Sequence, residues 1–307
     1  MRVSVVALLS GALFPFSATA HQNTPGSQQT SPPSAAAGQT ADPIIVTGRP
    51  LPSKEQIRSI TRSISPATPS SDPLARFNDP VCLASVGLDC TTMERIGQRF
   101  AADAEQAGLK LAGDHCKPNI VVLFIDGVNS EIDTLVKRKW WIFGDRSPAE
   151  IRTIVHERGP VRAWSNSETR GRDGERIDTR GVLRIASASR IVAPIRKDTL
   201  AAIVMIERSA LIGKTTHQIA DYLAMRALAG VRPPQKGDEQ NGNGETILGL
   251  FTGDAPGVPA EMTALDRGYL RGLYAAPANA FAWSTQGQIV RTILKAKDAE
   301  VAPADKP

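Results

Sequence analysis

Only three cysteines and four histidines occur in the 307 residues, and no histidine follows His217. A metal helix of the His-Glu-x-x-His type needs a second histidine four residues on, and usually a third further along. Neither is present. A Gly-x-Ser-x-Gly elbow is also missing, which removes the strained nucleophile turn of α/β-hydrolases. The Gly-Lys-Thr at 213–215 lacks its partner glycine, because Arg208 stands five residues before Gly213. Without that glycine the backbone cannot wrap a phosphate. Beyond the first twenty residues no apolar run approaches the roughly 20 residues that a bilayer span requires. The excess of one sign of charge is small too. The formal net charge is +5, and removing residues 1–20 deletes one Arg and no acid, leaving +4. That excess is too small to argue nucleic-acid binding.

What is present begins with a leader. Residues 1–20 combine Arg2, an apolar run and a small-x-small end at Ala18-Thr19-Ala20, the pattern of a secretory signal peptide. The mature chain is therefore expected to be periplasmic or secreted. Residues 21–72 are expected to be disordered, being rich in Gln, Ser, Pro and Ala. One short β-prone box at 42–49 interrupts them (Ile44, Ile45, Val46, Thr47, Gly48). The box resembles the strand near the N-terminus of TonB-dependent outer-membrane receptors, which pairs with an envelope protein by strand addition. The plainer expectation is a strand docking on the protein's own sheet, or a similar N-terminal tag. Residues 53–63 can form a basic helix with Lys54, Arg58 and Arg62. A single globular domain is expected over 73–297, followed by a disordered tail at 298–307.

Within that domain the patterns predict an α+β fold, with helices packed on a mixed sheet. Residues 119–126 form a continuous apolar run of strand length, which fits a central strand covered on both faces. Strands are also expected at 161–167, 182–193 and 199–207. Helices are expected at 91–108, 130–141, 148–158, 263–274 and 284–296. The centre of the chain is residues 199–230, a buried strand leading into a helix at about 215–229 with Thr215 or Thr216 as its cap. Cys82 and Cys116 bracket the helix at 91–108, so they are the pair expected to bridge in an oxidising compartment. Cys90 is then left as a buried, inert thiol. Lys137, Arg138 and Lys139 precede Trp140 and Trp141. Cations beside indoles suit an anionic surface; the plainer expectation is a helix end with solvated charges and packed tryptophans.

His217 and Asp221 are the one His–acid pair at helical spacing. They could grip a metal together, completed by a carboxylate such as Glu245 or Glu261, and so serve a hydrolase of an envelope polymer or peptide. Gln218 stands where such a site needs a proton-accepting Glu. A structural hydrogen bond between His217 and Asp221 is the simpler expectation. Asp126, Asp173, Asp254 and Glu261 lie on expected loops and strand ends. Any two held about 5–10 Å apart would suit glycoside hydrolysis.

The order of elements resembles the zincin fold of matrixin-like proteases. Residues 246–251 resemble the apolar turn below the metal, and 265–274 resemble the terminal helix with its Asp and closing Leu-Tyr. The chain looks closer still to exported bacterial proteins on this plan whose metal helix has lost its ligands. Residues 75–82 and 161–164 carry that likeness. The resemblance implies a scaffold without peptidase chemistry. The expected role is a non-catalytic binding or envelope-associated one, with no cofactor.

Overall fold

A computed structural model describes residues 52–177, 189, 191–234, 245–252 and 257–301. The expected signal peptide, the box at 42–49, Asp254 and most of the expected strand at 182–193 lie outside these residues.

Four strands form one mixed sheet in the order β1-β2-β4-β3. They are β1 (Leu83–Val86), β2 (Ile120–Ile125), β3 (Val161–Gly171) and β4 (Ile195–Glu207). β1, β2 and β4 are parallel, while β3 runs antiparallel to β4 at the edge. The apolar run of β2 fulfils its expectation of double cover. Ile120, Val122 and Phe124 enter the main core on one face, and Leu123 and Ile125 pack into a smaller core on the other.

Helix α1 (Lys54–Ile64), α2 (Cys90–Gln106), α5 (Thr216–Leu228), α6 (Ala264–Ala275) and α7 (Ala282–Val301) all contribute side chains to the main core. α3 (Val128–Arg138), a 3-10 turn at Trp140–Phe143 and α4 (Pro148–Val155) cover the opposite face. Helix caps follow the sequence closely. Thr215 and Thr263 each accept a backbone N–H three residues on, in capping boxes completed by Gln218 and Asp266. At α2 the cap is Asp89, whose carboxylate accepts from the Thr92 amide at 2.9 Å.

α5 is the most enclosed helix of the fold. Every residue from Ile219 to Leu228 is buried, as expected for a helix without a polar face. Asp221 and Arg226 are therefore internal charges, and each must find a partner inside the protein.

The boundaries expected from composition need correction at both ends. α1 belongs to the folded body, which therefore begins well before residue 73. Ile57, Ile60 and Ile64 form a buried stripe, while Lys54, Arg58 and Arg62 face solvent. Ser65 shares a 2.8 Å hydrogen bond with the buried Tyr269 hydroxyl. The basic residues had masked that stripe. At the other end α7 continues to Val301, past residue 297, because no helix breaker occurs before Pro303.

α6 and α7 approach closely through two glycines. A Cβ on Gly268 would lie 2.8 Å from the Ile293 Cα, and one on Gly272 would lie 2.5 Å from the Ile289 Cα. Asp266 fastens the start of α6 to the 3-10 turn at Ile247–Phe251. Its buried carboxylate accepts from the Thr246 hydroxyl, from Ile247 N at 2.8 Å and from Thr263 N at 3.0 Å. Cys82 and Cys116 are disulfide-bonded, with a Cα separation of 6.1 Å. The bridge ties the start of β1 to the approach of β2 and brackets α2, as expected.

Candidate functional site

The first turn of α5 holds the residues that sequence spacing had singled out. Gln218 completes the cap at Thr215 and donates to the Pro259 carbonyl at 2.9 Å. His217 points to solvent, while Asp221 is 0 % exposed. The two form no hydrogen bond with each other. Asp221 accepts instead from Arg99 Nε at 2.7 Å, from Arg99 Nη2 at 3.1 Å and from the Met262 amide. Glu261 reaches the same guanidinium at 3.2 Å.

Asp221 and Glu261 thus converge, but on a guanidinium. This corrects the expectation of a metal at His217 and Asp221. Both oxygens of Asp221 are occupied by nitrogen donors, so a metal would have to displace a bidentate arginine. Glu245 is tied in only through its carbonyl, which accepts from the Thr263 hydroxyl. Among the described residues no group of three His, Cys, Asp or Glu side chains has the geometry of a metal site. The donor set does not fit zinc.

Asp103 adds a second buried carboxyl to this cluster. Burial, then the charge and hydrogen bond of Asp221, push it up to about 8, against the pull of Arg99 and Arg267. Two neighbouring carboxyls in a dry site cannot both ionise cheaply, so Asp103 keeps its proton to a higher pH than an ordinary aspartate. Asp221 in turn raises the Arg99 guanidinium. The cluster is a clamp between α2, α5 and the residues leading into α6.

A cleft lies elsewhere, along β3. It encloses about 950 Å³ between the outer edge of this strand and the C-terminal end of α5. The Pro160 carbonyl accepts the Glu207 amide across the β3–β4 pair at 2.9 Å. Antiparallel alternation then turns Arg162 and Trp164 toward β4, and the backbone groups of Val161, Ala163 and Ser165 outward. Two guanidinium contacts agree with this phase. Arg162 Nη1 donates to the Val161 carbonyl at 2.8 Å, and Arg146 Nη2 donates to the Ser165 carbonyl. Ala163, between them, keeps its amide and carbonyl directed into the cleft.

The opposite wall carries the second internal charge of α5. Arg226 makes a bidentate pair with Glu157, at 2.5 and 2.9 Å. Its guanidinium also sits 5.9 Å from the Tyr222 ring centroid, and that ring meets Phe251 edge-on at 4.8 Å. Burial pushes the Tyr222 hydroxyl up to about 12, so it stays neutral. Further cations line the cleft at Arg146, Arg158, Lys197 and Arg232, against Glu150 and Glu157. Lys197 is paired with Asp72 at 2.8 Å.

The loop and strand-end carboxylates among the described residues do not assemble. Asp126 pairs with Arg208, Asp173 with Arg172, and Glu261 with Arg99. Cys90 is exposed rather than buried, because it opens α2 directly after the Asp89 cap. The tryptophans at the end of α3 are also not packed: Trp140 is 63 % and Trp141 61 % exposed.

Sequence reasoning missed Arg99, Asp103, Glu157 and Arg226. A usable signal existed, since Asp221 and Arg226 are the only charges in α5 beyond its first turn. Compared with family models, curated proteins and solved structures, the chain matches none.

Proposed function

We propose that this protein is a non-catalytic binding protein on a zincin-like scaffold, which takes an extended polypeptide segment of a partner along the outer edge of β3. The observation that carries the reading is the direction of the Ala163 amide and carbonyl into a 950 Å³ cleft. Strand addition uses such groups for affinity and flanking pockets for side-chain preference. The cations of the cleft outnumber its acids, which favours a segment bearing acidic side chains. The zincin-like assignment rests on element order. An antiparallel edge strand, a central strand, a buried helix, a short apolar turn and a helix ending in Leu273 and Tyr274 follow one another. The cation beside Asp221 is Arg99, which favours a scaffold role for α5 over peptidase chemistry.

A display library of short random peptides, selected against the chain from His21 onward, tests this. Enriched peptides should be acidic and should lose at least tenfold in affinity against Ala163→Pro. That substitution removes an outward N–H and leaves the β4 ladder intact, and proline is tolerated at such edge positions. Equal affinity for both proteins, or cleavage of the bound peptides, contradicts the proposal.

A further inference from the structure

Two adjacent tryptophans exposed on a rigid turn are not explained by the fold. Isolated exposed apolar side chains are ordinary, whereas neighbouring ones form a patch with a purpose. Lys137 and Arg138 close α3, Lys139 is its C-cap, and Trp140 and Trp141 open the 3-10 turn that follows. All five side chains are exposed. Cations at a helix C-terminus are favoured by the helix dipole, so Lys137 and Arg138 alone would need no further account. The dipole does not explain the indoles.

The turn that bears them is firmly held. The Ile142 carbonyl accepts from Trp164 Nε1 at 3.1 Å and from Asn166 Nδ2 at 3.0 Å. Phe143 is fully buried, with its ring 4.9 Å from that of Trp164. Arg146 donates to the Phe143 carbonyl at 3.2 Å. Gly144 closes the turn at φ +64°, donating to the Trp141 carbonyl at 3.1 Å. β3 therefore fixes the turn from below, with both indoles outside. The nearest acids along the chain, Asp133 and Asp145, form no ion pair with Lys137, Arg138 or Lys139 among the described residues.

We propose that residues 137–141 dock this protein on the surface of an anionic phospholipid bilayer. Indoles favour the headgroup level, where an apolar ring meets a wet N–H. Cations beside them are attracted by acidic headgroups. The patch lies outside the β3 cleft and no cavity opens at it among those described, which suits a broad surface better than a small ligand. Nucleic acid is disfavoured by the small overall charge, +5.

The test is co-sedimentation with vesicles, using the chain from His21 onward so that the apolar run at 3–16 contributes nothing. Phosphatidylcholine vesicles are compared with phosphatidylcholine–phosphatidylglycerol vesicles. Sedimentation with the anionic vesicles is expected, and it should fall as salt rises. Trp140→Ala with Trp141→Ala should weaken it about tenfold. Lys137→Glu, Arg138→Glu and Lys139→Glu together should weaken it more, at roughly fivefold for each cation lost. All five residues are exposed, so both variants should keep the wild-type circular dichroism. Failure to sediment with anionic vesicles overturns the proposal. So does sedimentation that neither variant reduces, or binding to dextran sulfate with no binding to vesicles.

Discussion

Asp221 of α5 and Arg99 of α2 are joined by two hydrogen bonds, with the carboxylate wholly removed from solvent. A carboxylate in that position could have faced a metal ion; here it faces a side chain of the same protein. Removing one partner strands a buried charge, which costs about 3–5 kcal/mol. Arg99→Ala should lose about that much in urea unfolding. Arg99→Met combined with Asp221→Leu should recover much of the loss. A double variant no more stable than Arg99→Ala would contradict the pairing.

Asp103 makes stability depend on pH in an unusual direction. Its folded value, about 8, lies above that of an unfolded Asp. The folded state therefore holds a proton that the unfolded state releases. The contribution is fully present below the unfolded value, falls as pH rises, and is lost once pH passes about 8. Asp221, Arg99, Arg267 and Glu261 face the same cluster and set this balance. Asp103→Asn keeps the shape without the proton. It should flatten thermal stability between pH 4 and 8 and raise Tm at pH 8 by roughly 2–6 °C. An unchanged pH slope would contradict the raised Asp103 value.

Gly268 and Gly272 let α6 and α7 touch backbone to backbone. At Gly272 an added methyl would meet the Ile289 backbone first, which cannot give way as a side-chain end can. Gly272→Ala should cost about 1–3 kcal/mol despite the better helix propensity of alanine. Denaturant unfolding checks this, and a stabilised variant would show that the helices can separate freely.

The disulfide and the free thiol separate cleanly in a labelling experiment. In the folded protein one thiol, Cys90, should react with a maleimide, while Cys82 and Cys116 react only after reduction. Replacing both bridged cysteines with serine should lower stability by roughly 4 kcal/mol in the chain-entropy model. Two reactive thiols in the native, unreduced protein would contradict the bridge.

The sequence made local features legible. The stripe of α6, the threonine caps, the central run of β2 and the Cys82–Cys116 bridge all depend on neighbours in the chain or on one bracketing helix. The Asp221 clamp was not legible in that way, because Arg99 lies 122 residues from Asp221. A pairing that distant depends on α2 packing against α5, which no periodicity encodes. The burial of α1 was hidden for a different reason. Its apolar stripe is three isoleucines among charged and polar residues within a Pro- and Ser-rich stretch, so composition outweighed spacing. Trp140 and Trp141 went the other way: aromatic residues are usually packed, and only the pinned backbone of the 3-10 turn turns them outward.

The outer edge of β3 carries the functional reading, and amide exchange resolved by NMR addresses it residue by residue. In the free protein, the amides of Arg162 and Trp164 should exchange slowly, protected by β4, while those of Val161, Ala163 and Ser165 exchange fast. Addition of a selected acidic peptide should slow Ala163 and its outward neighbours, leaving the inward set unchanged. Exchange at Val161, Ala163 and Ser165 that the bound peptide does not alter would contradict strand addition at this edge.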